Sequence, residues 1–286
     1  MLKTRGFVRP TPGRWVPWAV GLFAVSLCTL GNTAVAAQKT SSDAAAVELA
    51  RLVYDRPNGK DASSQVIMRL AQKGKNTRQR VLYSYVKDKA RSERWTLLRF
   101  VEPTDIEGTG LLTQDHPGDE SDQWLYLPAL DRVRRISSSR KGGRFVGSDF
   151  FYEDLRDREV DMDHHRLAGK GKVGGLQCDI LESVPVDPDN SVYAKRVSCI
   201  HRKTLIPLQV DLFEKSGKKP IKRLRARKIK KIQGYWTVLD STMYDLETGH
   251  QTSLETQKIK YDQALPDSLF SQQGLSDDSR EINYRP

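Results

Sequence analysis

Histidine and cysteine are scarce in this chain, five and three in 286 residues. No Ser-His-Asp spacing and no G-x-S-x-G elbow can be written with them, and no zinc-type spacing is present. The densest metal-like cluster is Asp161-Met162-Asp163-His164-His165, whose odd-numbered members would share one face of a strand. Adjacent histidines without a second, distant cluster are a weak ligand set, so a solvated strand end is the expectation and no metal is assigned. Gly142-Gly143 and Gly169-Lys170-Gly171-Lys172 lack the phosphate-loop pattern and read as turns. The acid pairs Glu153-Asp154 and Asp277-Asp278 lie in polar sequence, with nothing to tune them for acid-base work. These absences argue against an enzyme and indicate no cofactor.

Acidic residues are missing altogether from the first 37 positions, which carry Lys3, Arg5, Arg9 and Arg14, then an apolar run from Trp15 to Leu30, then Ala34-Val35-Ala36-Ala37. That order is a secretory signal peptide, cleaved after Ala36 or Ala37. The apolar run is about 16 residues and contains Pro17, short of the roughly 20 that a membrane-spanning helix needs. A lipid-modified Cys28 is disfavoured by the bulky Leu27 before it. The expected location is the periplasm.

Of the 47 cations and 36 acids in the whole chain, the leader removes four cations, which leaves a mature net charge of +7. An exported protein meets little nucleic acid, and no nucleic-acid motif is present. An anionic membrane surface is the better candidate partner. The densest charge lies in Lys218 to Lys231, nine cations around Ile221, Leu224 and Ile229. At strand spacing this reads as a solvated outer face, or as an electrostatic dock for anionic headgroups or an acidic partner.

Only Cys178 and Cys199 remain after cleavage, an even count in an oxidising compartment. They flank Asp187-Pro188-Asp189-Asn190, a type I turn signal. A two-residue hairpin closed there sets Cys178 opposite Cys199, Glu182 opposite Lys195 and Val184 opposite Tyr193, and predicts a disulfide. Type I turns twist such hairpins the wrong way, so a longer loop, or two free buried thiols, stays open.

The mature chain, residues 38–286, lacks any Pro/Gly/Ser-rich linker and reads as one domain. Ser41 to Tyr54 has Ala46, Leu49, Ala50 and Val53 at helical spacing, and Arg56-Pro57-Asn58-Gly59 stops the helix. Twelve runs of period two follow, at 65–70, 80–87, 94–101, 111–114, 123–127, 132–136, 176–186, 192–200, 208–214, 221–232, 235–246 and 253–261. They imply an antiparallel barrel or sandwich. Residues 137–157 break the pattern, where Ser-Ser-Ser-Arg-Lys-Gly-Gly leads into Phe145, Val146, Phe150, Phe151, Tyr152 and Leu155. This is read as a Gly-rich hinge and an aromatic lid, or else as rings that plug one end of an ordinary core.

Phe100 to Leu112 (FVEPTDIEGTGLL), Trp124 to Ile136 (WLYLPALDRVRRI), Phe145 to Leu155 (FVGSDFFYEDL) and the tail Phe270 to Leu275 (FSQQGL) carry a resemblance. Over about residues 41 to 280 the chain resembles the LolA-like family of periplasmic outer-membrane lipoprotein-sorting proteins, and within it the longer branch associated with RND-type lipid exporters. The resemblance implies a mainly β fold: an unclosed antiparallel β-barrel of about eleven strands, with an N-terminal helix and a helical lid over an apolar cavity. In founding members that cavity shields lipoprotein acyl chains in transit between membranes. The stretch from Gly142 to Leu155 is longer and more aromatic than theirs, so a sterol-like, hopanoid or other free lipid fits as cargo equally well.

The expected walls are Trp95, Leu98, Phe100, Leu111, Trp124 and Tyr126, and the expected door is Phe145, Phe150, Phe151 and Tyr152. Which strand faces point inward is open, because Trp124/Tyr126 and Leu125/Leu127 both could. Arg134 and Arg135 are expected to latch the lid through Asp149, Glu153 or Asp154. The function expected is a carrier of acyl chains towards the outer membrane. The rivals are an adaptor of an RND-type exporter that never holds lipid, and a lipid hydrolase, for which no nucleophile and base are evident.

Overall fold

The structure is a computed structural model that describes residues 42–286 apart from 73, 90–92, 119–120 and 216. The leader expected at residues 1–37, with Cys28 and the cleavage site, lies outside the described residues. The first helix, α1 (Ala44–Tyr54), is capped by Asp43, whose carboxylate accepts from the Ala45 N–H at 3.0 Å. Its inward stripe is Ala46, Leu49 and Ala50, as the helical spacing predicts.

Thirteen strands follow, not eleven: β1 (Asp61–Gln72), β2 (Arg78–Asp88), β3 (Arg94–Glu102), β4 (Gly110–Gln114), β5 (Asp122–Leu127), β6 (Arg132–Arg135), β7 (Asp163–Val173), β8 (Leu176–Pro185), β9 (Tyr193–His201), β10 (Ile206–Glu214), β11 (Pro220–Ile232), β12 (Tyr235–Asp245) and β13 (His250–Tyr261). The twelve runs of period two are all strands. The thirteenth, β7, contains the supposed turn Gly169 to Lys172, because a bulge between Leu167 and Lys170 absorbs the glycine without ending the ladder.

The strands form one open antiparallel sheet in the order β6-β5-β4-β3-β2-β1-β13-β12-β11-β10-β9-β8-β7. Two meanders are thus joined by the β1–β13 seam, which runs from Ala62 opposite Tyr261 to Gln72 opposite His250. The edge strand β6 is short and Arg-rich, and the edge strand β7 is bulged and partly covered by α1, devices that keep an open edge from pairing with another chain.

Residues 136–162 lead from one edge strand to the other across the inner face. Phe145 packs among Val66, Met68, Leu70, Leu82, Phe100 and Leu111, whereas Phe150 packs with Tyr193, Leu212 and Met243. Leu155 packs against both groups. A flat sheet of thirteen strands would be about 60 Å wide, yet the Tyr152 carbonyl accepts from Gln123 of β5 and the next residue, Glu153, from Arg196 of β9, at the far side of the strand order, so the sheet is rolled around this crossing segment.

The outer face of β2–β5 is covered by the C-terminal segment, which includes α2 (Gln272–Ser276). There Leu265, Leu269, Phe270 and Leu275 pack on Tyr85, Leu97 and Leu112.

Cys178 and Cys199 form the expected disulfide, with Cα atoms 5.3 Å apart. The register is shifted by two: Ile180 faces Cys199 and Glu182 faces Val197, so the sulfurs bridge a diagonal. Asp187 to Asn190 does not make a two-residue turn but a wider loop. Its Asp187 carboxylate accepts from the Asp189 N–H at 2.9 Å and starts a single 3-10 turn, Pro188–Asn190. Lys195 still reaches Glu182 at 3.1 Å across the diagonal. Replacing both cysteines by serine is expected to cost about 3 kcal/mol, from loop closure over the 21-residue separation. Urea unfolding checks this, and a double variant as stable as the oxidised protein would show that the bond adds nothing.

Candidate functional site

Along β1, the inner face changes character within one strand. Val66, Met68 and Leu70 are buried against Phe145 and its neighbours, but Ala62 and Ser64 precede them on the same face. The cross-strand partners continue the change, because Ala62 faces Val86 and Ser64 faces Ser84. Small side chains on both strands leave a hollow of about 230 Å³, lined also by Ile259, Tyr261, Asn58 and Gly59 and, among charged residues, by Lys60, Asp61, Asp88 and Arg94.

Asn58 and Arg94 also line a neighbouring cleft of about 340 Å³ under α1. Ala50, Val53 and Tyr54 form its helical wall, and Leu181, Ser198, Ile200 and Pro207 its sheet wall. The helix is held to β7 by the Asp43 N–H donating to the His165 carbonyl at 2.8 Å and the His165 N–H donating to Ser42 Oγ at 3.0 Å. His165 is no free ligand: its ring lies 2.9 Å from Ser183 Oγ and 2.8 Å from the Val160 carbonyl. Asp163 is bound by Arg158 at 3.0 Å. Among the described residues no cluster suited to a metal is found.

Most of the charge in the cleft is internally matched. Arg94 pairs with Asp88 at 2.6 Å and Asp157 at 3.1 Å, and Arg196 with Glu153. Burial pushes the Asp157 carboxyl above its ordinary range, and pushes the nearby Asp115 up to about 6.

The ten residues expected to form walls and door are not brought together, and none of them lines the hollow or the cleft. Leu98, Phe100 and Leu111 lie on the inner face with Phe145 and Tyr152; the Phe100 and Phe145 rings are 5.7 Å apart. Phe150 and Phe151 pack in the other half, where Phe151 stacks on Tyr193 at 6.1 Å. Trp95, Trp124 and Tyr126 point to the outer face, with Trp95 6.1 Å from Phe270. The rings placed as a door are thus packed down on the sheet.

The latch acids have other partners than the arginines named for them. Arg135 pairs with Asp122, and Arg134 is exposed. Asp149 accepts from Arg144 at 2.9 Å and Thr252 at 2.7 Å and lies 2.6 Å from His250 Nδ1; Glu153 accepts from Arg196; Asp154 accepts from Tyr193 at 2.9 Å and lies 3.4 Å from Lys222 Nζ. Arg135 shares the outer face with Trp124, its cross-strand partner, so chain proximity could not bring it to acids on the inner face.

Lys222 is the one cation of the basic run that is buried. Its Nζ donates to the Asp149 carbonyl at 2.6 Å, and burial lowers its pKa to about 8. Arg225, Arg227, Lys228, Lys230 and Lys231 are exposed.

The comparisons with known proteins bear on the open, rolled sheet as a whole. A family model described as an uncharacterized protein matches residues 92–277. A putative outer membrane lipoprotein-sorting protein domain from Vibrio parahaemolyticus is 30% identical, with a TM-score of 0.77 over 82% of this chain and 99% of that one. The chain belongs to the LolA-like, outer-membrane lipoprotein-sorting family. A DUF1329 family protein from Desulfovibrio piger is 29% identical to this LolA-like chain, with a TM-score of 0.78 over 82% of it and 100% of the other. A LolA superfamily protein from Nitrosomonas europaea, 18% identical, shares the fold with a TM-score of 0.62 over 80% and 97% of the two chains. A search of curated proteins finds no match. The LolA-like lipoprotein-sorting fold is that of a non-enzymatic family.

Proposed function

We propose that this protein is a periplasmic carrier that takes acyl chains of a lipoprotein or a free lipid into the cleft beneath α1 and the adjoining hollow, for transfer towards the outer membrane. The observation that carries the reading is the unfilled stretch of inner face at Ala62, Ser64 and Ser84, which adjoins the cleft under α1 while the inner face beside it is packed by Phe145 and Phe150. Family membership supports it. Burying ten methylenes yields about 8 kcal/mol, enough for binding near micromolar. No catalytic group is needed, only an apolar wall and an entrance.

Native mass spectrometry with lipid extraction, on mature protein purified gently from a producing bacterium, tests the proposal. A stoichiometric lipid adduct is expected, and Ser84→Trp, which fills the hollow, is expected to weaken that adduct at least tenfold. A bare mass that stays bare after incubation with lipid would reject the carrier. It would favour an adaptor of an RND-type exporter, or a protein that docks on anionic membrane through the exposed cations of β11.

A further inference from the structure

Four arginines line the cleft: Arg56, Arg94, Arg158 and Arg196. Arg94 is engaged by two carboxylates. Arg158 donates to Asp163, to the Asn190 side chain at 2.8 Å and to the Met162 carbonyl at 2.9 Å. Arg196 is paired with Glu153 and reaches Asp163 at 3.7 Å.

Arg56 differs from the other three. It follows α1 by two residues, is half-buried, and its Nη1 donates to the Trp236 carbonyl at 3.2 Å. Among the described residues no carboxylate lies within ion-pairing distance of it. Its guanidinium has five donors, and a neutral carbonyl takes up one. Burial, and then the like charge of Arg94, lower its pKa, an opposition that Asp157 and Asp88 only partly offset. An anion placed beside it would relieve both effects, and arginine offers a planar fork that suits carboxylate or phosphate oxygens.

Position supplies the second half of the argument. Asn58, two residues further on, lines both cleft and hollow, so Arg56 stands in the cleft that adjoins the hollow between Ala62, Ser64, Val86 and Ile259, whose charged lining residues Lys60, Asp61, Asp88 and Arg94 include both signs. We infer that the cleft is selective for amphiphiles in which a single negative headgroup, carboxylate or phosphate, adjoins the acyl chain, with the headgroup on Arg56 and the chain in the hollow. This rests on the carrier reading and narrows its cargo from any lipid to an acidic one. Arg56 is then a specificity-determining residue.

The experiment compares three probes of one chain length, decanoate, decyl phosphate and 1-decanol, binding to the mature protein by calorimetry at low salt. Decanoate or decyl phosphate is expected to bind at least tenfold more tightly than decanol, and whichever binds better assigns the headgroup as carboxylate or phosphate. Arg56→Gln is expected to abolish the preference while leaving decanol affinity within twofold, and Arg56→Lys to keep part of it. Raising salt on the unaltered protein, which needs no variant to fold, is expected to weaken the anions and spare decanol. Equal binding of decanol and the anions, or a preference that survives Arg56→Gln, overturns the anionic subsite and leaves the carrier standing. Failure of all three probes to bind overturns both.

Discussion

Phe145→Ala is expected to destabilise the protein by about 3 to 5 kcal/mol, the usual cost of truncating a fully buried phenylalanine. Its effect should be local before it is global, because the ring is the main apolar tie between the crossing segment and the β1–β4 half of the sheet. Hydrogen exchange is the measurement. Amides of residues 143–155 should exchange much faster in the variant, while those of the β1–β13 seam keep most of their protection. Asp149→Ala should act in the same direction, since it strips a fully buried carboxylate from Arg144, Thr252 and His250. Arg135→Glu, on the outer face, should leave exchange at 143–155 unchanged. Equal acceleration across the sheet in Phe145→Ala would show that the segment does not open as a unit.

A second large effect is expected where the C-terminal segment meets the outer face. Arg99 is 1% exposed, and its guanidinium donates to the carbonyls of Gly108 at 2.7 Å, Leu275 at 2.7 Å and Gly274 at 3.2 Å. Glu281, wholly buried, lies 3.5 Å from Arg99 and 3.8 Å from Arg285. A Cβ at Gly110 would sit 2.9 Å from Arg99 Nη1, so the strand beneath must be bare there. Arg99→Met leaves three carbonyls without their donor and a buried carboxylate without its nearer counter-charge, and should cost roughly 3 to 5 kcal/mol.

Burial outweighs the two arginines and pushes the Glu281 carboxyl up to about 7. The folded protein therefore holds that proton more tightly than the unfolded chain. Stability from this group is fully present below the ordinary carboxylate range and is lost as pH rises to and through about 7. The loss is on the order of 3 kcal/mol. Urea midpoints at pH 5 and pH 8 should differ accordingly in the natural protein, and the difference should shrink in Glu281→Gln. Parallel pH dependences for the two proteins would remove Glu281 as the cause.

Much of the architecture was legible because strand and helix periods are local. The alternation at Arg94 to Val101 or Tyr235 to Leu246 needs no knowledge of the partner strand, and the Ala46, Leu49, Ala50 stripe needs none of β7. β7 was missed because its glycines mimic a turn, whereas Gly169 takes its positive φ of 113° inside a bulge and Gly171 pairs with Cys178, so the ladder with β8 continues. The candidate site was not legible. It is made by small and charged residues such as Ala62, Ser84 and Arg56, whereas a reading that seeks a lipid site looks for large apolar ones. The break in apolar alternation at Ala62-Ser63-Ser64 was the one available signal.

The sequence by itself determined twelve of the thirteen strands, that one helix opens the domain, and which two sulfurs join. Only the tertiary structure decided which face of β3, β4 and β5 points inward. Both faces are apolar there, because the crossing segment covers one and the C-terminal segment the other. A period of two says that neighbours point opposite ways, and it is silent on what covers each side. That is fixed by segments which meet the sheet only once the chain has folded.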